Sequence, residues 1–180
     1  MRRPITAILA LVPLALAWPA AATTVTGSFG GHDYEAVSVP TGLGWAEAKL
    51  AARARGCGWN LAAVTTKAED QFVFGLVKGK GDFFAGNNGP WLGGYQKDSK
   101  SEPKDHWAWV TGEAFTLKHW AKGEPDNKTR VTDEFNSGLK VGQSEEVIHY
   151  LGNGTWDDAN VTAQAHGYIL ELDPAKAACK

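Results

Sequence analysis

What the chain lacks narrows it first. No block of lysine and arginine follows the opening residues and the formal net charge is −2, which argues against a nucleic-acid or anionic-lipid surface. Past residue 22 no apolar run reaches the length of a membrane span. Five histidines, His32, His106, His119, His149 and His166, are scattered, with no HExxH, nucleophile elbow or cysteine and histidine signature. An enzyme is therefore not expected. Cysteine is nearly absent, Cys57 and Cys179 being the two. In an exported chain two cysteines more often pair than stay free, so one bridge is expected, with a stabilisation of about 4 kcal/mol for so long a loop. Internal repeats and low-complexity linkers are also missing, which leaves one domain.

What is present begins with MRRPITAILALVPLALAWPAAATT. Two arginines, an apolar run from Ile5 to Trp18 and the small residues Ala20, Ala21 and Ala22 are the layout of a secretory signal peptide. The expectation is a leader over residues 1–22, a single domain over 23–180, and a secreted or periplasmic mature protein.

Along that domain, Thr23 to Gly31 reads as a Gly/Thr/Ser-rich lead and His32 to Val39 as an edge strand with Tyr34, Ala36 or Val37 turned inward. WAEAKLAARAR favours helix, with Trp45, Ala48 and Ala52 on one face. LAAVTT is a short apolar strand. Thr66 with Glu69 makes a capping box opening a second helix whose inward stripe is Phe72, Val73, Leu76 and Val77. From Gly86 onward the pattern changes to short strands separated by long polar loops. Two helices and a small mixed or antiparallel sheet, an α+β fold, account for this pattern.

Two acidic segments stand out, GEPDN at Gly123 to Asn127 and GTWDDAN at Gly154 to Asn160, with Glu145 and Glu146 between them. Ca²⁺ takes six to eight oxygens in irregular geometry, and side chains distant in sequence can supply them. Five carboxylates crowded without a cation would repel and raise one another's pKa values. Acidic loops are also commonly just solvated, and the residues alone leave the two readings level. Paired carboxylates hydrolyse glycosides as well, but that chemistry needs one carboxyl held protonated and apart, whereas these look pooled around an ion.

The order WLGG (Trp91 to Gly94), WAWVTGEAF (Trp107 to Phe115), HWAKGEPDN (His119 to Asn127), GTWDD (Gly154 to Asp158) and YILEL (Tyr168 to Leu172) resembles the C-type lectin-like domain, in the short, cysteine-poor form of bacterial exported proteins. The resemblance reaches back to the helix at Trp45. It implies a calcium site built from Glu124, Asp126, Glu145, Asp157 and Asp158 around a cis Pro125. It further implies a sugar bound through Glu124, Asp126, Asn127, Glu145 and Asp157, two ring hydroxyls coordinating the ion. The implied partner is a glycan or glycoconjugate; a calcium-stabilised protein-binding or adhesion module of the same fold is the alternative. Trp91, Trp109, Trp120 and Trp156 are implied to be structural, packed beneath the binding loops. Ala52 with Leu170, and Val147 with the region near Asn160, stand where the family places its two disulfides. The mannose-type pattern has EPN and WND; here Asp126 and Asp157 replace both amides. The segment TRVTDEFNSGLKVGQ, Thr129 to Gln143, is longer than its counterpart and carries Asp133, Glu134 and Phe135.

Overall fold

The computed structural model describes residues 22–98, 103–127 and 144–178. The expected leader through residue 21, the 129–143 segment and Cys179 lie outside those residues. Eight strands, β1 (Thr24–Phe29), β2 (His32–Leu43), β3 (Trp59–Leu61), β4 (Asn88–Gln96), β5 (Trp107–Trp109), β6 (Val147–Leu151), β7 (Trp156–Ala159) and β8 (Ala165–Leu172), accompany two helices, α1 (Trp45–Ala54) and α2 (Lys67–Gly75). The sheet runs β1-β2-β8-β4-β6-β7, with β3 beside β8 and β5 beside β4. Among the described strands only β4 and β8 pair in parallel; the other strand pairings are antiparallel, so the sheet is mixed as expected.

The sequence placed the sheet edge one strand too late. The Thr/Ser-rich lead is itself β1, folded back on β2 through Gly30 and Gly31 at φ +62° and +89°. Two consecutive positive-φ residues make the hairpin turn whose twist matches the strands, and glycine adopts both without steric cost. Tyr34, Ala36 and Val37 are buried. In α1 the buried side chains are Trp45, Ala48 and Ala52, so small residues let the helix lie close to the sheet. Trp45 Nε1 donates to Leu92 O at 2.8 Å.

The capping box of α2 is formed: Glu69 N donates to Thr66 Oγ1 at 3.2 Å and Thr66 N to Glu69 Oε2 at 3.3 Å. Its buried face is Glu69, Asp70, Val73 and Phe74, continued by Leu76 and Val77. Phe72 is only partly buried. Val73, Leu76 and Val77 of the expected inward stripe are thus buried, with Phe74 in place of Phe72, and the face also takes two carboxylates inside.

Trp91, Trp109 and Trp156 are fully buried and Trp120 packs partly buried against the same core, the structural role expected of all four. Trp107 is buried too. Ala52 and Leu170 share one apolar cluster, and Val147 pairs with Ala159 across β6 and β7, so packing stands where a disulfide was implied. The bridge expected between Cys57 and Cys179 lies partly outside the described residues: Cys179 is not among them, and no described cysteine is free. Among the described residues, no helix is long and apolar enough to cross a membrane.

Close backbone approach makes one glycine critical. A Cβ on Gly93 of β4 would stand 2.5 Å from Leu61 O and 2.8 Å from Val110 Cγ2. A main-chain oxygen inside the sheet cannot yield as a side-chain tip can. Gly93→Ala is expected to cost about 1–3 kcal/mol, read as a lower denaturant midpoint at unchanged slope.

Candidate functional site

The site is built by pinning one loop to one strand. Trp156 N donates to His119 O and Ala121 N to Trp156 O, both at 2.8 Å, which seats the segment from His119 alongside β7. A turn closed by Glu124 N to Ala121 O at 3.1 Å follows, and the Glu124–Pro125 bond is cis, as the resemblance implied. Asp126 N and Asn127 N then donate to the two oxygens of Asp158, at 3.1 and 3.0 Å. Asn127 sits at φ +54°, a conformation asparagine tolerates better than most residues. Its Oδ1 accepts from Glu145 N at 2.9 Å, tying the strand that enters β6 to the same corner.

This corner brings together ligand atoms of Glu124, Asp126 and Asp158, all within 4.8 Å of one another. Oxygens on opposite sides of one Ca²⁺ stand about 4.6–5.2 Å apart, so the spacing and the all-oxygen donor set suit a hard divalent cation. Asp158 is 2% exposed. Burial pushes its carboxyl up to about 6, against the backbone N–H groups of Asn127 and Asp126, which favour the anion.

The other two expected ligands stand outside that three-residue group. Glu145 is buried and joined to the site through its backbone. Asp157 is on the opposite face of β7 from Asp158: Ile148 faces Asp158 across the ladder, whereas His149 faces Asp157. The Asp157 carboxylate is 3.9 Å from His149 Nε2. Strand alternation makes that separation unavoidable for consecutive residues of regular β structure.

Under the site lies a group that sequence reasoning missed. Asp70 of α2 is 1% exposed and accepts from Tyr150 OH at 2.8 Å and Trp156 Nε1 at 2.9 Å, with His119 Nδ1 at 2.6 Å from its other oxygen. It thereby holds both the start of the pinned loop and the residue before the Asp157–Asp158 pair. The signal was present: Asp70, Val73, Phe74 and Val77 follow the i, i+3, i+4, i+7 spacing of a buried helix face. A second cluster, also unexpected, joins His32, Glu69 and Glu171.

No protein-family model matches the sequence. Rat lithostathine is 34% identical over 103 residues, 54% of this chain and 56% of the relative. Mouse lithostathine-1 is 30% identical over 122 residues, 68% of this chain and 62% of the relative. The chain thus spans little more than half the length of these relatives. Among solved structures, the C-type carbohydrate-recognition domain of cow CD23, determined in the presence of a GlcNAc2Man3 oligosaccharide, superposes at a TM-score of 0.61 with 19% identity, covering 86% of this chain and 95% of that one. The fold is that of the C-type lectin-like domain.

Proposed function

We propose that this is an exported, non-catalytic carbohydrate-binding module, its leader removed near residue 22, in which a calcium ion held by Glu124, Asp126 and Asp158 presents coordination positions to sugar hydroxyls. The observation that carries the proposal is the three-carboxylate corner, assembled by hydrogen bonds from Asp126 and Asn127 onto Asp158. Glu145, buried and tied to the corner through its backbone N–H, and water complete the oxygen set in this reading, while Asp157 lies on the other face of β7. Two neighbouring hydroxyls replace water on such an ion while carboxylates accept their protons. Few atoms are desolvated, so single-site affinity near millimolar is expected. Cow CD23, whose structure was solved in the presence of an oligosaccharide, supports the sugar reading by fold.

The test is an immobilised, multivalent glycan panel run with calcium and then with chelator. Retention that needs calcium and is competed by free monosaccharide supports the proposal. Calcium-sensitive folding without glycan retention supports instead a protein-binding or adhesion module. One feature favours that second reading: Asp126 and Asp157 stand where the mannose-type pattern has amides, and a carboxylate cannot donate to a hydroxyl. Each unpaired sugar hydroxyl loses about 0.5–1.5 kcal/mol. Asp126→Asn is therefore expected to weaken calcium binding and strengthen mannose binding at saturating calcium, both read by calorimetry. Asp157→Asn, outside the close group, is expected to change calcium affinity less.

Proton competition gives a pH dependence. Asp158 is raised to about 6 in the fold, and calcium takes only its anion. Above that value the ion meets a ready ligand; below it a proton must first leave. Calcium affinity at pH 5 is expected to be about tenfold weaker than at pH 7.5, as read by titration in a buffer that does not bind the ion.

A further inference from the structure

We infer that β1 is the contact surface for a second copy of this chain, the two β1 strands pairing antiparallel about a two-fold axis through Thr26. The two ends of the sheet are finished differently. At one end β7 is covered, since Trp156 N donates to His119 O and Ala121 N to Trp156 O. At the other end β1 has β2 on one side and, among the described residues, no strand on the other. Open strand edges are usually guarded by a lysine, a proline, a bulge or a covering loop. β1 reads TVTGSF, without charge or proline, and its register with β2 runs unbroken from Thr24↔Val37 to Phe29↔His32.

The register fixes which backbone groups point outward. Ser38 N donates to Thr23 O at 2.8 Å, so Thr23 and Ser38 form a hydrogen-bonded pair. Bonded and non-bonded pairs alternate along an antiparallel ladder. The backbone groups of Val25, Gly27 and Phe29 therefore face β2, and the N–H and C=O groups of Thr24, Thr26 and Ser28 face away from it. Among the described residues these outward groups have no backbone partner. The side chains of Thr24, Thr26 and Ser28 are exposed, whereas Val25 and Phe29 are half-buried on the inward face.

A second copy supplies the matching row. Centring the pair on Thr26 sets Thr26 against Thr26, Thr24 against Ser28 and Val25 against Gly27, each on a common face, and uses every outward group in about six hydrogen bonds. Thr–Thr and Thr–Ser pairs are favourable across a ladder, and no like charges meet at the axis. Gly27 makes room on the inward face. A Cβ there would stand 2.8 Å from Phe72 Cζ, so Phe72 lies over Gly27 and receives Val25 of the second copy. Phe72 stacks on Phe29 with 5.3 Å between ring centres, and Val25, Phe29 and Phe72 are each only partly covered by their own core. The chain's own N-terminus cannot fill this edge: with the leader removed near residue 22, as proposed above, Thr23 alone precedes β1. The contact is isologous, so it closes at two copies. Two ion corners on one particle would raise avidity for a multivalent ligand by about 10²-fold where both engage, but the dimer itself does not rest on the sugar reading.

The experiment is sedimentation velocity on the leader-free protein, where a dimer is expected at concentrations on the order of 100 µM. Thr26→Lys and Thr26→Glu each bring like charges together at the axis through an exposed side chain. Each is expected to weaken the dimer by about tenfold or more with circular dichroism unchanged, and mixing the two variants should restore it as a heterodimer. Thr26→Pro removes an N–H that points away from β2, which leaves the hairpin ladder intact, and it too should run as a monomer. Leu50→Glu on α1, at a side chain 64% exposed, is the control and should stay dimeric. A monomeric wild type overturns the proposal and leaves the edge to a strand of another protein. A dimer that persists in folded Thr26→Lys and Thr26→Pro, or that is lost only in Leu50→Glu, overturns it as well.

Discussion

Asp70→Ala is expected to destabilise the protein by about 3–5 kcal/mol, the range for removing one member of a buried, charge-assisted network. The substitution leaves Tyr150 OH and Trp156 Nε1 buried without their acceptor, and His119 without its carboxylate. Water cannot take over, because Tyr150 and Trp156 are both fully buried. For a chain of this size the loss corresponds to a fall in melting temperature of about 10 °C or more. Asp70→Asn retains an acceptor oxygen and should cost less. The effect reaches the ion site as well. Trp156 and His119 pin the start of the 119–127 segment to β7, so calcium affinity should fall in Asp70→Ala even though Asp70 lies outside the Glu124, Asp126 and Asp158 group. Chemical denaturation gives the first quantity and calcium titration of the folded variant the second. A variant of wild-type stability would show that the buried network is not what holds this corner together.

Stripping the divalent ion is the second large effect expected. A ligand held at a hundred times its dissociation constant stabilises the fold by about 2.7 kcal/mol, a shift of about 5–10 °C at this chain length. The apo corner should be poor at standing alone, since Glu124, Asp126 and Asp158 crowd within 4.8 Å and burial already disfavours the Asp158 anion. Thermal melts with calcium and with chelator read the shift. In Asp158→Ala the two curves should coincide, both below the wild-type calcium curve, because the variant loses the ion ligand and also the acceptor for Asp126 N and Asn127 N. A calcium-dependent shift surviving in Asp158→Ala would place the ion elsewhere.

The helices and the tryptophan core were legible because their signals are local. Trp45, Ala48 and Ala52 share a helical face by spacing alone, and the Thr66–Glu69 box is written in four consecutive residues. Strand β1 escaped because a Gly/Thr/Ser-rich stretch looks like a linker until its partner is known; pairing with β2 is what makes it a strand. Within the proposed site, the residue types and their order singled out Glu124, Asp126 and Asp158, which the fold brings together, yet the separation of Asp157 from Asp158 did not show. Whether Asp157 or Asp158 faces Asp126 depends on the register of β6 against β7, and a shift of one residue exchanges them. The burial of Asp70, Glu69 and Glu171 was hidden for a different reason. A carboxylate is read as surface by default, and only long-range partners such as Tyr150, Tyr34 and Ala63 turn it inward.

The central claim is that the Glu124, Asp126 and Asp158 corner is a calcium site, and calorimetric titration of calcium into chelator-stripped protein at pH 7.5 tests it most directly, wild type beside Asp158→Asn. That substitution is close to isosteric and keeps an acceptor for the pinned loop, so it removes charge with little change of shape. The account predicts a saturable calcium isotherm for the wild type and affinity at least tenfold weaker in Asp158→Asn, with the variant's circular dichroism unchanged. Superimposable isotherms for the two proteins, or no calcium binding by either, would contradict it.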